Sequence, residues 1–236
     1  MEKNQNEIIY IVDPQKAIAA IANATTNSPV ILDFDETLLL RNSTAEYINN
    51  LRPRLIGYVL IIVITLFRPW VWLPLPFRGD QTRDWFLVIL PTILLPWTLL
   101  LWRQKAKILA QDYSNSEIIS ALDKNKHPPV IVASLGFNFI INPILQRMPI
   151  RSDLLVGCRF WLGAGDRNKG KLVMMQEVLS DEAIKSSILV TDSKDDLPLL
   201  QVVEQPYLVK WSLAKYVAPF QDFWLYSLVK KLKKII

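Results

Sequence analysis

The chain alternates short apolar runs with stretches of helical periodicity. Pro29 to Phe34, Val130 to Ala133 and Ser187 to Val190 each carry an apolar run of strand length, and Asp153 to Leu162 is a further strand-like stretch. Pro14 to Ala22 predicts a helix, with Pro14 near its start and Ile18, Ile21 and Ala22 at helical intervals. Ser43 or Thr44 caps a second, which Pro53 stops; Ser116 to Lys124, a segment after Asn138 and Gly170 to Leu179 are three more. Strands that alternate with helices predict an α/β fold built on a doubly wound parallel sheet.

One region breaks this rhythm. Leu55 to Phe67 has thirteen residues without a charge, and Trp85 to Trp102 has eighteen. As helices these reach roughly 20 Å and 27 Å, against a hydrocarbon core of about 30 Å. Pro91 and Pro96 should kink the second; the first spans only if it continues through Arg68 toward Phe77, past Pro69, Pro74 and Pro76. Trp70, Trp72, Trp85, Trp97 and Trp102 suit interfacial belts, and Arg52, Arg54, Arg103, Lys105 and Lys107 flank the region on one side. The expectation is a two-helix hairpin, spanning or re-entrant, with a buried helical cap as the alternative. Both ends of such a hairpin return to one side, so the globular part stays whole. The chain then divides into 1–54 (first part of the core), 55–102 (hairpin), 103–212 (rest of the core) and 213–236 (a basic amphipathic end).

Composition agrees with two solvents. Hydrophobic residues make up 51% of the 236, and the hairpin region supplies most of the excess, with five of the eight tryptophans. The net charge of +5 has one obvious cluster, Lys230, Lys231, Lys233 and Lys234 among leucine, valine and isoleucine, which suits an anionic membrane surface. No basic patch with interleaved aromatics accompanies a nucleic-acid motif, so no nucleic-acid partner is expected. The single cysteine, Cys158, excludes an intramolecular disulfide framework, and the single histidine, His127, has no partner for a triad. Met1 to Asn6 is polar and Ile8 to Val12 is too short for a signal-peptide core. A membrane location is expected, with the catalytic part on the cytoplasmic side.

The chemistry-bearing residues are acids just past strands. Asp33 and Asp35 follow one run, and Asp192 and Asp196 follow another. Ligands bind at the carboxyl edge of an open parallel sheet, and carboxylates gathered there repel unless they share a hard cation such as Mg²⁺.

Their order resembles a known family. Asp33-Phe34-Asp35-Glu36-Thr37, Val132-Ala133-Ser134 followed by Leu135-Gly136-Phe137, Lys169-Gly170-Lys171 and Thr191-Asp192 with Asp196 resemble the four successive motifs of the haloacid dehalogenase superfamily, in its phosphoserine-phosphatase-like branch. The resemblance spans Ile31 to Leu200 and implies a HAD-like, Rossmann-type core with the hydrophobic hairpin in the cap position. It implies an Mg²⁺-dependent phosphomonoester hydrolase in which Asp33 is the nucleophile and Asp35 the general acid and base. Ser134 and Lys169 would hold the phosphoryl oxygens, with Lys171 as the alternative lysine. Asp33, Asp35 through its carbonyl, and Asp192 would bind Mg²⁺, with Asp196 as ligand or support. Thr191 stands where the family commonly has glycine, and the acid that would bind an amino group in phosphoserine is not evident near Arg41-Asn42-Ser43. A membrane cap favours a lipid-linked phosphomonoester as substrate. A tethered phosphatase of a soluble phosphomonoester and a non-catalytic membrane interaction module are the alternatives.

Overall fold

The computed structural model describes residues 11–73 and 79–221. The elements run β1 (Ile11–Val12), α1 (Pro14–Ala22), β2 (Val30–Asp33), α2 (Ser43–Asn49), α3 (Arg54–Phe67), α4 (Asp80–Leu94), α5 (Thr98–Asp112) and α6 (Ser116–Lys124). They continue with β3 (Val130–Phe137), α7 (Asn138–Leu145), β4 (Leu154–Cys158), α8 (Gly163–Gln176), α9 (Asp181–Lys185), β5 (Ile188–Thr191), α10 (Leu197–Leu200) and β6 (Gln205–Val209).

The six strands form one sheet in the order β1-β6-β5-β2-β3-β4, and every pairing is parallel. The three apolar runs are its centre, since β2 lies between β5 and β3 and all of β2 and β5 is buried. Strands covered on both faces have no need of alternation, which is why these runs are continuously apolar. Helices α1 and α6 pack together, while α7 and α8 pack on β3 and β4.

The local chemistry sets several boundaries. Asp13 caps α1 by accepting from the Gln15 N–H at 3.0 Å. The cap of α2 is Asn42, one residue before Ser43 and two before Thr44, because its side chain reaches the Ala45 N–H at 3.0 Å. β3 runs four residues beyond the expected Ala133, to Phe137.

The apolar insertion differs most from its expectation. Its second segment is not one helix: α4 and α5 meet at 117°. Pro96 forces Leu95 out of the helical region (φ −128°, ψ 62°), so α4 ends there and α5 starts in a new direction. The core also resumes before residue 103, since α5 packs on α7 and buries Trp102, Ala106 and Leu109. Trp102 is a core residue whose indole N–H donates to the Ile140 carbonyl at 2.9 Å. Trp70 is buried as well, and Trp85 donates to the Phe160 carbonyl at 3.0 Å. Of the five tryptophans only Trp72 and Trp97 are well exposed, at 83% and 45%. α3 ends at Phe67, where Arg68 takes a left-handed conformation (φ 46°). Pro74, Pro76 and most of the basic 213–236 end lie outside the described residues; 213–221 contains no helix.

One ion pair ties β4 to α8. The buried Asp166 accepts from the Arg159 backbone N–H at 2.9 Å and from its guanidinium at 2.6 and 3.0 Å. Burial alone would raise the Asp166 carboxyl, but the Arg159 hydrogen bonds outweigh it and hold it below the usual carboxylate range. A depressed folded-state value means stability that is present above about pH 4 and lost as pH falls through the lowered value. Asp166→Asn should therefore lower the melting temperature by a few degrees at pH 7. In thermal unfolding scanned against pH, that deficit should shrink below pH 4; an equal deficit at all pH values would contradict the ion-pair assignment.

Candidate active site

Parallel strands deliver their carboxyl ends to one edge, and the register aligns the acids there. Asp33 pairs with Ala133, and Leu32 with Val190, so Ser134 and Thr191 flank the end of β2. The loop after β2 is tight: Leu39 N–H donates to the Phe34 carbonyl at 2.8 Å, and Glu36 adopts a positive φ of 59°. Buried Asn115 holds this loop by donating its side-chain amide to the Thr37 carbonyl at 3.0 Å while capping α6.

Asp33, Asp35, Ser134, Asp192 and Asp196 all line one cavity of about 540 Å³. Asp33 is 6% exposed. Its Oδ1 accepts from the Phe34 N–H and from Lys171 Nζ, both at 2.8 Å. Lys171 also reaches Asp196 Oδ2 at 2.6 Å. Asp35 Oδ1 accepts from the Ser43 N–H at the start of α2 at 2.6 Å, and Asp192 Oδ1 from the Thr37 hydroxyl at 3.2 Å. The Ser134 hydroxyl accepts from the Gly136 N–H at 3.0 Å. Gly136 must be small, because a Cβ there would stand 2.9 Å from Ile141 Cδ1 and 3.4 Å from Asp35 Oδ2.

Lys169 is not part of this group. It pairs with Glu177 at 2.5 Å, with 41% of its side chain exposed. The cause is Gly170, whose backbone (φ 80°, ψ 165°) breaks α8 between the two lysines. Lys171 thus opens the second helical piece and turns into the cavity, while Lys169 ends the first piece and turns out. Of the two lysines the sequence offers, the alternative, Lys171, lines the cavity and the preferred Lys169 does not.

Two further features escaped sequence reasoning. Thr191, read only as a departure from glycine, places its hydroxyl 2.5 Å from Asp196 Oδ2 and 3.1 Å from Asp33 Oδ2, and accepts from the Ser193 N–H at 3.2 Å. It links the two acids that Lys171 also joins. Arg167, one turn before Lys171, lines the cavity, donating to the Leu135 carbonyl and to Asp84 of α4, both at 2.8 Å. The periodicity around Arg167 carries no signal for this, since its partner lies 83 residues away.

The electrostatics show a shortage of positive charge. Burial raises Asp33, against the pull of Lys171. Burial pushes Asp35 up to about 7. Asp192 is also pushed up to about 7, by burial and then by Asp33 and Glu36. Burial would lower Lys171, but Asp33 and Asp196 outweigh it and keep the ammonium charged. A hard divalent cation fits this donor set, because the Asp33 carboxylate lies near enough to raise Asp192 and one buried lysine leaves negative charge in excess. Among the described residues no three His, Cys, Asp or Glu side chains cluster as ligands. The fit thus rests on two carboxylates, Asp33 and Asp192. Asp196 is already engaged by Lys171 and Thr191, which makes it a support for those two groups.

The model of the family described as haloacid dehalogenase-like hydrolase matches residues 30–201. A protein with unknown function from Bordetella pertussis Tohama I shares the fold, with a TM-score of 0.55 and 12% identity over 88% of this chain and 97% of that one. Cytosolic 5'-nucleotidase IIIB bound to cytidine aligns with a TM-score of 0.45 and 14% identity, over 85% of this chain and 75% of that chain. A phospho-aspartyl intermediate analogue of phosphoserine phosphatase aligns at 0.39 and 16%, over 84% and 98%. No curated protein matches the sequence.

Proposed function

This chain belongs to the haloacid dehalogenase-like hydrolase family, and we propose that it is an Mg²⁺-dependent phosphatase that hydrolyses a lipid-linked phosphomonoester through an aspartyl-phosphate on Asp33. The observation that carries the chemistry is the joint placement of Asp33, Asp35, Ser134, Lys171 and Asp192 around one cavity at the carboxyl edge of the sheet.

An Asp33 carboxylate oxygen attacks phosphorus as the bond to the leaving oxygen breaks, giving an acyl phosphate and an alcohol. Asp35, raised to about 7, delivers its proton to the departing oxygen. It then takes a proton from the water that attacks the phosphoenzyme, which releases phosphate and restores Asp33. The Ser134 hydroxyl and the Lys171 ammonium hold the phosphoryl oxygens, and Lys171 offsets the charge beside Asp33. Thr191 and Asp196 fix the position of Lys171 and of the Asp33 carboxylate. Asp33, Asp192 and the Asp35 carbonyl would hold Mg²⁺, which when bound neutralises phosphate charge.

The lipid part of the reading rests on α3. Thr65 from this helix lines the catalytic cavity, while Leu66 and Phe67 beside it are 70% and 74% exposed. A substrate whose phosphate enters at Thr65 would find an apolar surface next to it. The flanking Arg52, Arg54, Arg103, Lys105 and Lys107 favour a cytoplasmic placement of the catalytic part.

Phosphate release by the protein in detergent micelles tests this, with a lipid phosphomonoester and a short-chain soluble analogue, each with Mg²⁺ or EDTA. The expected result is release only with Mg²⁺ and a kcat/KM at least about tenfold higher for the lipid, equivalent to about 1.4 kcal/mol of transition-state binding by the chain. Equal turnover of both would leave a tethered phosphatase of soluble esters. No turnover of either would point to a non-catalytic membrane module.

A further inference from the structure

We infer that α3 is a membrane-docking helix lying in the plane of a single leaflet, so that the protein is monotopic and does not cross the bilayer through this segment. The inference rests on the lipid-phosphatase reading for its purpose but on separate observations for its geometry.

The exposed residues of α3 are Leu55, Ile56, Val59, Val63, Leu66 and Phe67, each 40–74% exposed. At about 100° per residue they fall within an arc of about 120°, a stripe that runs the helix from end to end. It is wholly apolar, and α3 contains no acid. A helix apolar all round is ordinarily covered by protein or by lipid. Here only 22% of the Arg54–Val71 stretch is buried. An apolar surface of this extent that none of the described residues covers marks an interaction site.

The other face of α3 decides the orientation. Gly57, Tyr58 and Ile64 are buried on the body of the protein, with a Cβ on Gly57 destined to stand 2.6 Å from Leu51 Cβ. Tyr58 meets Phe220 edge to face at 5.4 Å. Thr65 borders a cavity that holds Asp33, Asp35 and Asp192. A spanning α3 would have to abandon these contacts or carry that acidic cavity into hydrocarbon, where charged groups are costly. An in-plane helix keeps one face on the protein and sinks the other into the headgroup and acyl boundary.

The surroundings select lipid over a second copy of the chain. The Trp97 indole N–H donates to the Arg52 carbonyl at 2.5 Å, which sets the exposed corner between α4 and α5 beside the start of α3. Leu94 and Leu100 of that corner are 50% and 66% exposed. Trp72 continues the stripe at the far end, its N–H donating to the Phe67 carbonyl at 3.2 Å. Tryptophan at both ends suits a membrane interface. Arg52 and Arg68 are exposed at the two ends of α3. This positive fringe complements anionic headgroups and would oppose itself across a two-fold dimer.

The full chain with vesicles of equimolar phosphatidylcholine and phosphatidylglycerol provides the test. Burial pushes the Cys158 thiol up to about 12, so single cysteines introduced at the surface label selectively. A polarity-sensitive fluorophore on Val63→Cys should shift to the blue on vesicle addition and be quenched more by spin labels near the headgroup than at the bilayer centre. Arg52→Cys and Trp72→Cys should both react with an impermeant maleimide added outside intact vesicles. Val59→Glu combined with Val63→Glu should weaken vesicle association at least tenfold and leave hydrolysis of a soluble phosphomonoester unchanged. Protection of either end until the vesicles are opened would establish a spanning helix and overturn the inference. Vesicle binding without the Val63 shift, or a dimer whose formation alone produces that shift, would overturn it too. Soluble-ester turnover, measured without vesicles, judges the phosphatase reading independently.

Discussion

Asp33→Asn reduces phosphate release by on the order of 10⁵-fold or more and abolishes any acid-stable phosphoenzyme, which corresponds to roughly 7 kcal/mol of lost barrier lowering. The change is nearly isosteric: the amide oxygen can keep the Phe34 N–H while the amide NH2 faces the Thr191 hydroxyl, which can accept, so the fold should survive. What disappears is the anionic oxygen that attacks phosphorus. Quenched single-turnover reactions with a radiolabelled phosphomonoester measure both outcomes. Retention of full turnover would refute Asp33 as nucleophile. Asp195→Asn is the companion measurement: Asp195 is exposed at the cavity rim and should keep most of the activity.

Lys171→Met separates the two lysines of the third motif. Lys171 is 6% exposed and is the one cation in hydrogen-bonding reach of both Asp33 and Asp196 among the described residues. Removing a preorganised charge from the phosphoryl site costs about 10²–10³ in kcat. It also leaves two buried carboxylates facing each other, a loss on the order of 3 kcal/mol. For a domain of this size that lowers the unfolding midpoint by roughly 10 °C. Lys169→Met should do neither. Its pair with Glu177 is about half exposed on both sides, so the stability change should stay within about 0.5 kcal/mol and turnover within about twofold. Steady-state kinetics well below both midpoints, with thermal unfolding of each variant, measure this. Equal losses from the two substitutions would contradict the assignment of Lys171.

The sequence by itself determined the parallel α/β core and the acids at its edge. Apolar runs of strand length ending in Asp33, Ser134 and Asp192 are local signals, and a parallel sheet has only one edge to which such ends can go. The order of those motifs was equally legible. Three matters were decided by tertiary structure. Gly170 chose the lysine, because which of Lys169 and Lys171 faces the cavity depends on one backbone torsion that no residue spacing encodes. Thr191 and Arg167 joined the site through partners 158 and 83 residues away, contacts that exist only once strands and helices are assembled. The apolar stretch from Leu55 to Trp102 reads in sequence as a uniform hydrophobic block. Pro96 and the packing of α5 on α7 divide it into a buried part, which includes Trp102, and exposed parts on α3 and at the α4–α5 corner. Hydrophobicity along a chain reports how much apolar surface there is; which face of it stays uncovered is fixed by what packs on the other.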